Sequence, residues 1–263
     1  GFFVSMGTPI PTEGKCSYAG YMRTVRYLAP IILAVQLPLH KSITGLWLDL
    51  LVFNSVAIAS LISVVLAPKV NNKWAQTITA CAIGSWSLGS ILATATSYIN
   101  LPSAIITTSD ASYLLFYPLA LLGFQLLISS HQKLTLLEIV DASIVGLGLS
   151  TLGSAFALHP VLPHFDGDFN QSFLAIIYPV ADLVLLCFII STVAMQGFSR
   201  RGLLLSIGVC LYSVTDFLFL WQNINMSYTF GSLLDYGWLL AFVIIAESCW
   251  HPATDNRQKN GVS

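Results

Sequence analysis

Apolar residues fall into eight blocks along the chain, at about 24–40, 44–67, 74–98, 111–129, 134–158, 171–196, 202–223 and 231–250, with short polar stretches between them. A helix rising ~1.5 Å per residue crosses the roughly 30 Å hydrocarbon layer of a bilayer in about 20 residues, and most of the blocks reach that length. The pattern predicts an all-α fold: a polytopic integral membrane helix bundle of about eight transmembrane helices. The membrane domain covers 24–250, between an N-terminal segment 1–23 and a tail 251–263.

The first block is short and flanked by Arg23 and Arg26, so it reads either as an interfacial helix or as a span whose arginines snorkel to the lipid surface. Charge placement decides between them. With eight spans and both termini cytoplasmic, Lys15, Arg23, Arg26, Lys69, Lys73, Lys133, Arg200, Arg201, Arg257 and Lys259 lie inside and Lys41 alone lies outside. That is the asymmetry of the positive-inside rule, and omitting the first span would move three of those charges outward. The outer loops are then 99–110, 159–170 and 224–230, none with a lysine or arginine.

Composition narrows the class further. Charged residues are 9% of the chain and hydrophobic ones 56%, against roughly 25% and 45–50% in a soluble domain, and eight spans in 263 residues leave no room for a separate soluble domain. The net charge of -1 gives no sign of a nucleic-acid partner; the expected partner is the lipid bilayer. The chain opens on glycine, without the basic start and apolar core of a signal peptide, and is read as processed or partial. Cys16, Cys81, Cys187, Cys210 and Cys249 form no CxxC and have no neighbouring histidine, so they are expected to be buried small hydrophobes.

Small residues that let helices approach closely in lipid recur at Gly84, Ser85, Gly89, Gly146, Gly148, Ser150 and Gly153. Pro118 and Pro179, each after a tyrosine, fall inside spans four and six and are expected to kink them. Aligning Ile83 with Ile207 brings Asp110 within a residue of Asp235, which suggests a 4+4 parallel repeat.

The acids carry the functional signal. Asp49, Asp110, Glu138, Asp141, Asp182, Asp216, Asp235 and Glu247 lie within or at the edges of spans, with no lysine or arginine beside them in the sequence of the spans. A charged carboxylate at the bilayer centre costs ~3 kcal/mol on insertion scales, so such a group is protonated, hydrogen-bonded, hydrated or holding a cation. Asp110 and Asp235 are expected at the outer ends of spans four and eight, Asp216 in the outer half of span seven and Asp182 midway along span six. Together they form the predicted ligand-binding set, with Tyr117, Tyr178 and Trp238 as hydroxyl or indole donors; Tyr113, Tyr212, Trp221 and Tyr236 are nearby in sequence.

Each acid also has a plainer account. Asp110 and Asp235 beside Ser109 and Ser232 would serve as helix N-caps, and Asp182 and Asp216 as interhelical hydrogen bonds. Glu138 and Asp141 share a face of span five near Lys133, with Glu247 at similar depth; they are weak metal candidates, and interfacial solvation explains them equally. His159, His164, Asp166 and Asp168 lack any established metal spacing and read as a solvated loop. No catalytic residue is assigned: GxSxG, HExxH and GxxxxGK are all missing from the sequence, and no cofactor is indicated.

The blocks WSLGS (86–90), LPS (101–103), SDASYLLFYPLALLGF (109–124), LLEIVDASIV (136–145), YPVADLVLL (178–186), SVTDFLFL (213–220) and LLDYGWLLAFVIIA (233–246) follow one another in a characteristic order. In this the chain resembles the multi-span N-terminal input domains of bacterial GGDEF/EAL-type (cyclic-di-GMP) signalling proteins. The resemblance covers about residues 84–246; Ser90 departs from it, standing where an acid is expected. It implies a sensory module of the bacterial inner (plasma) membrane that relays a signal from an acidic outward pocket to a cytoplasmic signalling domain or partner protein, with a homodimer as the working unit. Any cyclase or phosphodiesterase domain is absent from these residues, so no enzyme activity is expected of them. A small proton- or cation-coupled transporter, or an assembly subunit of a membrane complex, are the competing expectations.

Overall fold

Many serine and threonine hydroxyls among the described residues donate to carbonyls of their own helix. The computed structural model describes residues 13–39, 48–68, 70, 72–128, six positions between 140 and 151, 169–196, 198–229 and 231–253, and all regular structure among the described residues is helical. We label the helices α1 (Glu13–Leu39), α2 (Asn54–Val65), α3 (Lys73–Tyr98), α4 (Ser103–Ile128), α5 (Phe169–Gln196), α6 (Arg200–Ile224) and α7 (Asp235–Ser248); a π-helical turn, Leu48–Phe53, leads into α2. Four of these helices contain segments long and apolar enough to cross a membrane: Lys73–Tyr98, Ser103–Ile128, Ile176–Gln196 and Arg200–Ile224. Thr24–Pro38 and Leu50–Val65 are shorter apolar stretches.

The predicted blocks 74–98, 171–196 and 202–223 coincide with α3, α5 and α6 to within two residues. Their starts have identifiable causes. The Asn72 side chain accepts from the backbone N–H of Trp74 and Ala75 to cap α3, and the Ser199 hydroxyl accepts from Gly202 to cap α6. The predicted 134–158 span, with Glu138, Gly146, Ser150 and Gly153, lies largely outside the described residues, as do His159, His164, Asp166 and Asp168; Asp141 is described and exposed.

Three expectations are corrected. The outer loop expected at 99–110 shrinks to 99–102, because α4 starts at Ser103. The hydroxyls of Thr107, Thr108 and Ser112 turn back onto the carbonyls of Ser103, Ala104 and Thr108, so a polar stretch satisfies itself as helix. Asp110 is therefore the eighth residue of α4 rather than its cap. Among the described cysteine side chains Cys81 and Cys210 are exposed on α3 and α6, Cys187 is half-buried and Cys249 is buried as expected. Outward faces of helices in lipid are apolar too, so an apolar position does not reveal which way it points.

Each helix packs on its neighbours in chain order from α1 to α7, and α7 returns against α2 and α1. Glycines set the closest approaches. A Cβ on Gly123 of α4 would lie 2.6 Å from the Thr79 hydroxyl and 2.9 Å from its backbone nitrogen on α3; one on Gly208 of α6 would lie 2.7 Å from Ile245 of α7. Of the glycines singled out in the sequence, Gly89 of α3 meets Tyr113 and the Ser109 carbonyl of α4, whereas Gly148 meets nothing within 4 Å. The Ser109 hydroxyl donates to the Gly89 carbonyl at 2.9 Å across this contact. Leu239, Ala241, Phe242, Ile245 and Ala246 of α7 are fully buried, with Phe242 packed on Trp86 of α3 and Phe116 of α4. The last helix thus fills the middle of the bundle.

Candidate functional site

Aromatic rings from four helices enclose one pair of carboxyl groups. Asp182 lies midway along α5, and Asp216 lies two-thirds of the way along α6. Asp182 is 2% exposed and Asp216 half-buried, and the two carboxyls lie close enough to act on each other and on Tyr117. Tyr117 of α4 donates its hydroxyl to Asp216 Oδ2 at 2.9 Å, and Trp238 of α7 donates its indole N–H to Asp216 Oδ1 at 2.5 Å. Both Asp182 oxygens are buried without a hydrogen-bond partner, although its backbone carbonyl accepts from the Ser213 hydroxyl at 3.4 Å.

The rings around this pair are packed into one another. Tyr117 lies 6.2 Å from Tyr178 of α5 and 5.4 Å from Phe116; Phe116 stacks on Tyr212 of α6 at 4.8 Å. Trp238 contacts Phe219 at 5.4 Å and Trp86 at 6.2 Å. Such a wall shields Asp182 from water and fixes the two donors of Asp216 in place.

Five of the seven residues predicted for the site therefore gather: Tyr117 and Trp238 bond Asp216, Asp182 lies beside it, and Tyr178 lies beside Tyr117. Asp110 stands apart, linked through its backbone carbonyl, which accepts from the Tyr178 hydroxyl at 3.5 Å. Asp235 belongs to a different arrangement. It opens α7, is 4% exposed, and accepts from the Tyr228 hydroxyl at 2.9 Å and the Gly231 backbone N–H at 2.7 Å. It reaches back to close its own loop rather than forward to cap the helix. Gly231 adopts φ 77°, which glycine takes without a Cβ clash. Burial, with Asp235 beside it, pushes the Tyr228 hydroxyl above the usual tyrosine range, so it remains a donor. Trp221, also near in sequence, is 49% exposed and outside the wall.

A second polar centre occupies the other end of α7. Glu247 accepts from both Nε and Nη2 of Arg26 on α1, and His251 Nε2 lies 3.1 Å from the same carboxylate. Arg26 also sits over the Tyr27 and Trp250 rings, 5.5 and 5.8 Å from their centroids. The expectation that Glu247 lacks a basic companion is corrected here: the companion is 221 residues away in the chain. Trp250 donates to the Ser63 hydroxyl of α2 at 2.8 Å. Arg201, counted among the cytoplasmic charges, is 1% exposed and donates to the His251 carbonyl at 2.9 Å and the Leu127 carbonyl at 3.0 Å.

Among the described residues no group of three or more His, Cys, Asp or Glu side chains comes together as a metal site, and Asp141 stands exposed rather than in such a group. Comparison with family models, with curated proteins and with solved structures finds no match.

Proposed function

We propose that the chain is a sensory input module of the bacterial inner membrane, in which the acidic site around the Asp182–Asp216 pair binds a small ligand, cation or proton and α7 carries the change to a cytoplasmic partner. One observation carries this reading: Asp216 is hydrogen-bonded to Trp238, a residue of the last described helix, so any change of charge at the pair acts directly on α7. The far end of the same helix is clasped to α1 through Glu247 and Arg26 and to α2 through Trp250 and Ser63. On this reading ligand binding and output lie at opposite ends of one helix, the arrangement a two-state relay uses.

The proposed topology has eight spans with both termini cytoplasmic, which puts Asp235 and the 225–234 connection outside and Glu247 inside. The 4+4 repeat draws on the sequence match alone, since Asp110 and Asp235 occupy different positions in their helices. Order and spacing of the blocks from WSLGS to LLDYGWLLAFVIIA support a cyclic-di-GMP signalling partner, and output domains of that kind act in pairs, which supports a homodimer.

A transporter using the same acids as a relay is the second reading, favoured by the kinking prolines Pro118 and Pro179 within α4 and α5. An assembly subunit is the third, with the acids as interhelical contacts. The deciding experiment joins two measurements. A GGDEF or EAL segment in the same reading frame, or an adjacent one, with output altered in Asp182→Asn and Asp216→Asn, supports sensing. Cation flux into proteoliposomes that disappears in both variants overturns it in favour of transport.

A further inference from the structure

The two carboxyls of the site are not equivalent. Asp216 is held from two sides, by the Tyr117 hydroxyl and the Trp238 indole, whereas Asp182 is more deeply buried and neither of its oxygens has a partner. A buried carboxylate with no donor is among the costliest groups a helix bundle can hold. Two of them side by side within this wall repel as well.

We infer that the ligand of this site is a single proton, carried by Asp182 and donated in a hydrogen bond to Asp216, with Tyr117 and Trp238 fixing Asp216 as the acceptor. This deepens the sensory reading and rests on it. One O–H bond at Asp182 gives its orphaned carboxyl a partner and removes one of two adjacent negative charges. The proton comes from bulk water and returns to it; no other bond forms or breaks.

The surrounding groups leave the proton as the positive charge that fits. From α4 the pair is faced by Tyr117, with Tyr113 and Asp110 farther along the same helix; from α5 by Tyr178; from α6 by Tyr212; from α7 by Trp238, which does not titrate. Asp235 is taken up by Tyr228 and Gly231. No lysine, arginine or histidine acts on either acid among the described residues. A hard metal cation such as calcium takes about six to eight oxygen ligands. Here two hydrogen bonds to the pair's carboxyls come from the Tyr117 hydroxyl and the Trp238 N–H, and both direct a positive hydrogen at Asp216, the reverse of what a cation's oxygen cage presents.

Infrared difference spectroscopy of the chain in lipid nanodiscs tests this, with pH stepped in choline chloride and then in sodium or potassium chloride. The expected result is one carboxylic C=O band that grows as pH falls, disappears in Asp182→Asn, and shifts in frequency in Trp238→Phe as Asp216 loses a donor. Should Asp182→Asn fail to fold, Asp182→Glu moves the band instead of removing it. A band unaffected by substitution at 182, no such band at all, or a band abolished by sodium or potassium at constant pH overturns the proton assignment. The band reports occupancy regardless of output. If it behaves as expected while signalling is indifferent to Asp182→Asn, the proton site stands and the sensory reading falls.

Discussion

The two ends of α7 solve the same problem in opposite ways. At Glu247 a carboxylate is neutralised by Arg26, with His251 alongside, whereas at Asp216 the carboxylate meets a phenol, an indole and a second, unpartnered acid. A permanent countercharge fixes a helix end because guanidinium stays charged at any physiological pH. An acid pair without one depends on something that arrives and leaves. The first arrangement is suited to structure and the second to response, and one helix connects them.

That contrast can be broken experimentally, beginning with the largest effect. Arg201→Leu removes charged donors from the Leu127 and His251 carbonyls, bonds worth ~1.5–3 kcal/mol each, and is expected to lower unfolding free energy in detergent by about 3 kcal/mol. A loss below about 1 kcal/mol would mean that the basic end is not a structural clamp. Asp216→Ala strips two interhelical hydrogen bonds; at roughly 0.6 kcal/mol each in membrane bundles, the same assay should register ~1–2 kcal/mol. Next comes the Arg26–Glu247 pair, partly exposed at 27% and 28%, for which a double-mutant cycle with Arg26→Gln and Glu247→Gln is expected to return a coupling of about 0.5–1 kcal/mol that shrinks with salt. Smallest is Asp182→Asn: an amide N–H replaces the proposed O–H toward Asp216, so stability should change by less than ~0.5 kcal/mol while the pH response is lost. Strong destabilisation by that last variant would make Asp182 a structural residue and erase the difference between the two ends.

Much of this was legible in the sequence. Long apolar blocks located α3, α5 and α6 because lipid-spanning helices leave a length signature, and Asp182 and Asp216 stood out because acids are rare inside such blocks. Tyr117 and Trp238 followed as the nearest donors. What stayed hidden was pairing across the chain. Nothing near Glu247 announces Arg26, since a contact spanning 221 residues is set by which helix faces which. The start of α4 was missed for a local reason: serines and threonines read as loop, yet their hydroxyls bond their own helix and keep it intact. Likewise Gly123 and Gly208 carry no mark separating them from Gly148; only the opposing Thr79 and Ile245 reveal their purpose.

The order in which the helices emerge has its own consequence. Trp86 and Phe116 sit on helices made early, but both pack on Phe242 of the last helix, and Arg201 bonds a carbonyl that follows that helix. Synthesis proceeds from the N terminus, so the faces of α3 and α4 that Phe242 covers are made before their cover. A released chain that ends before residue 235 is expected to leave Trp86 and Phe116 uncovered on that side.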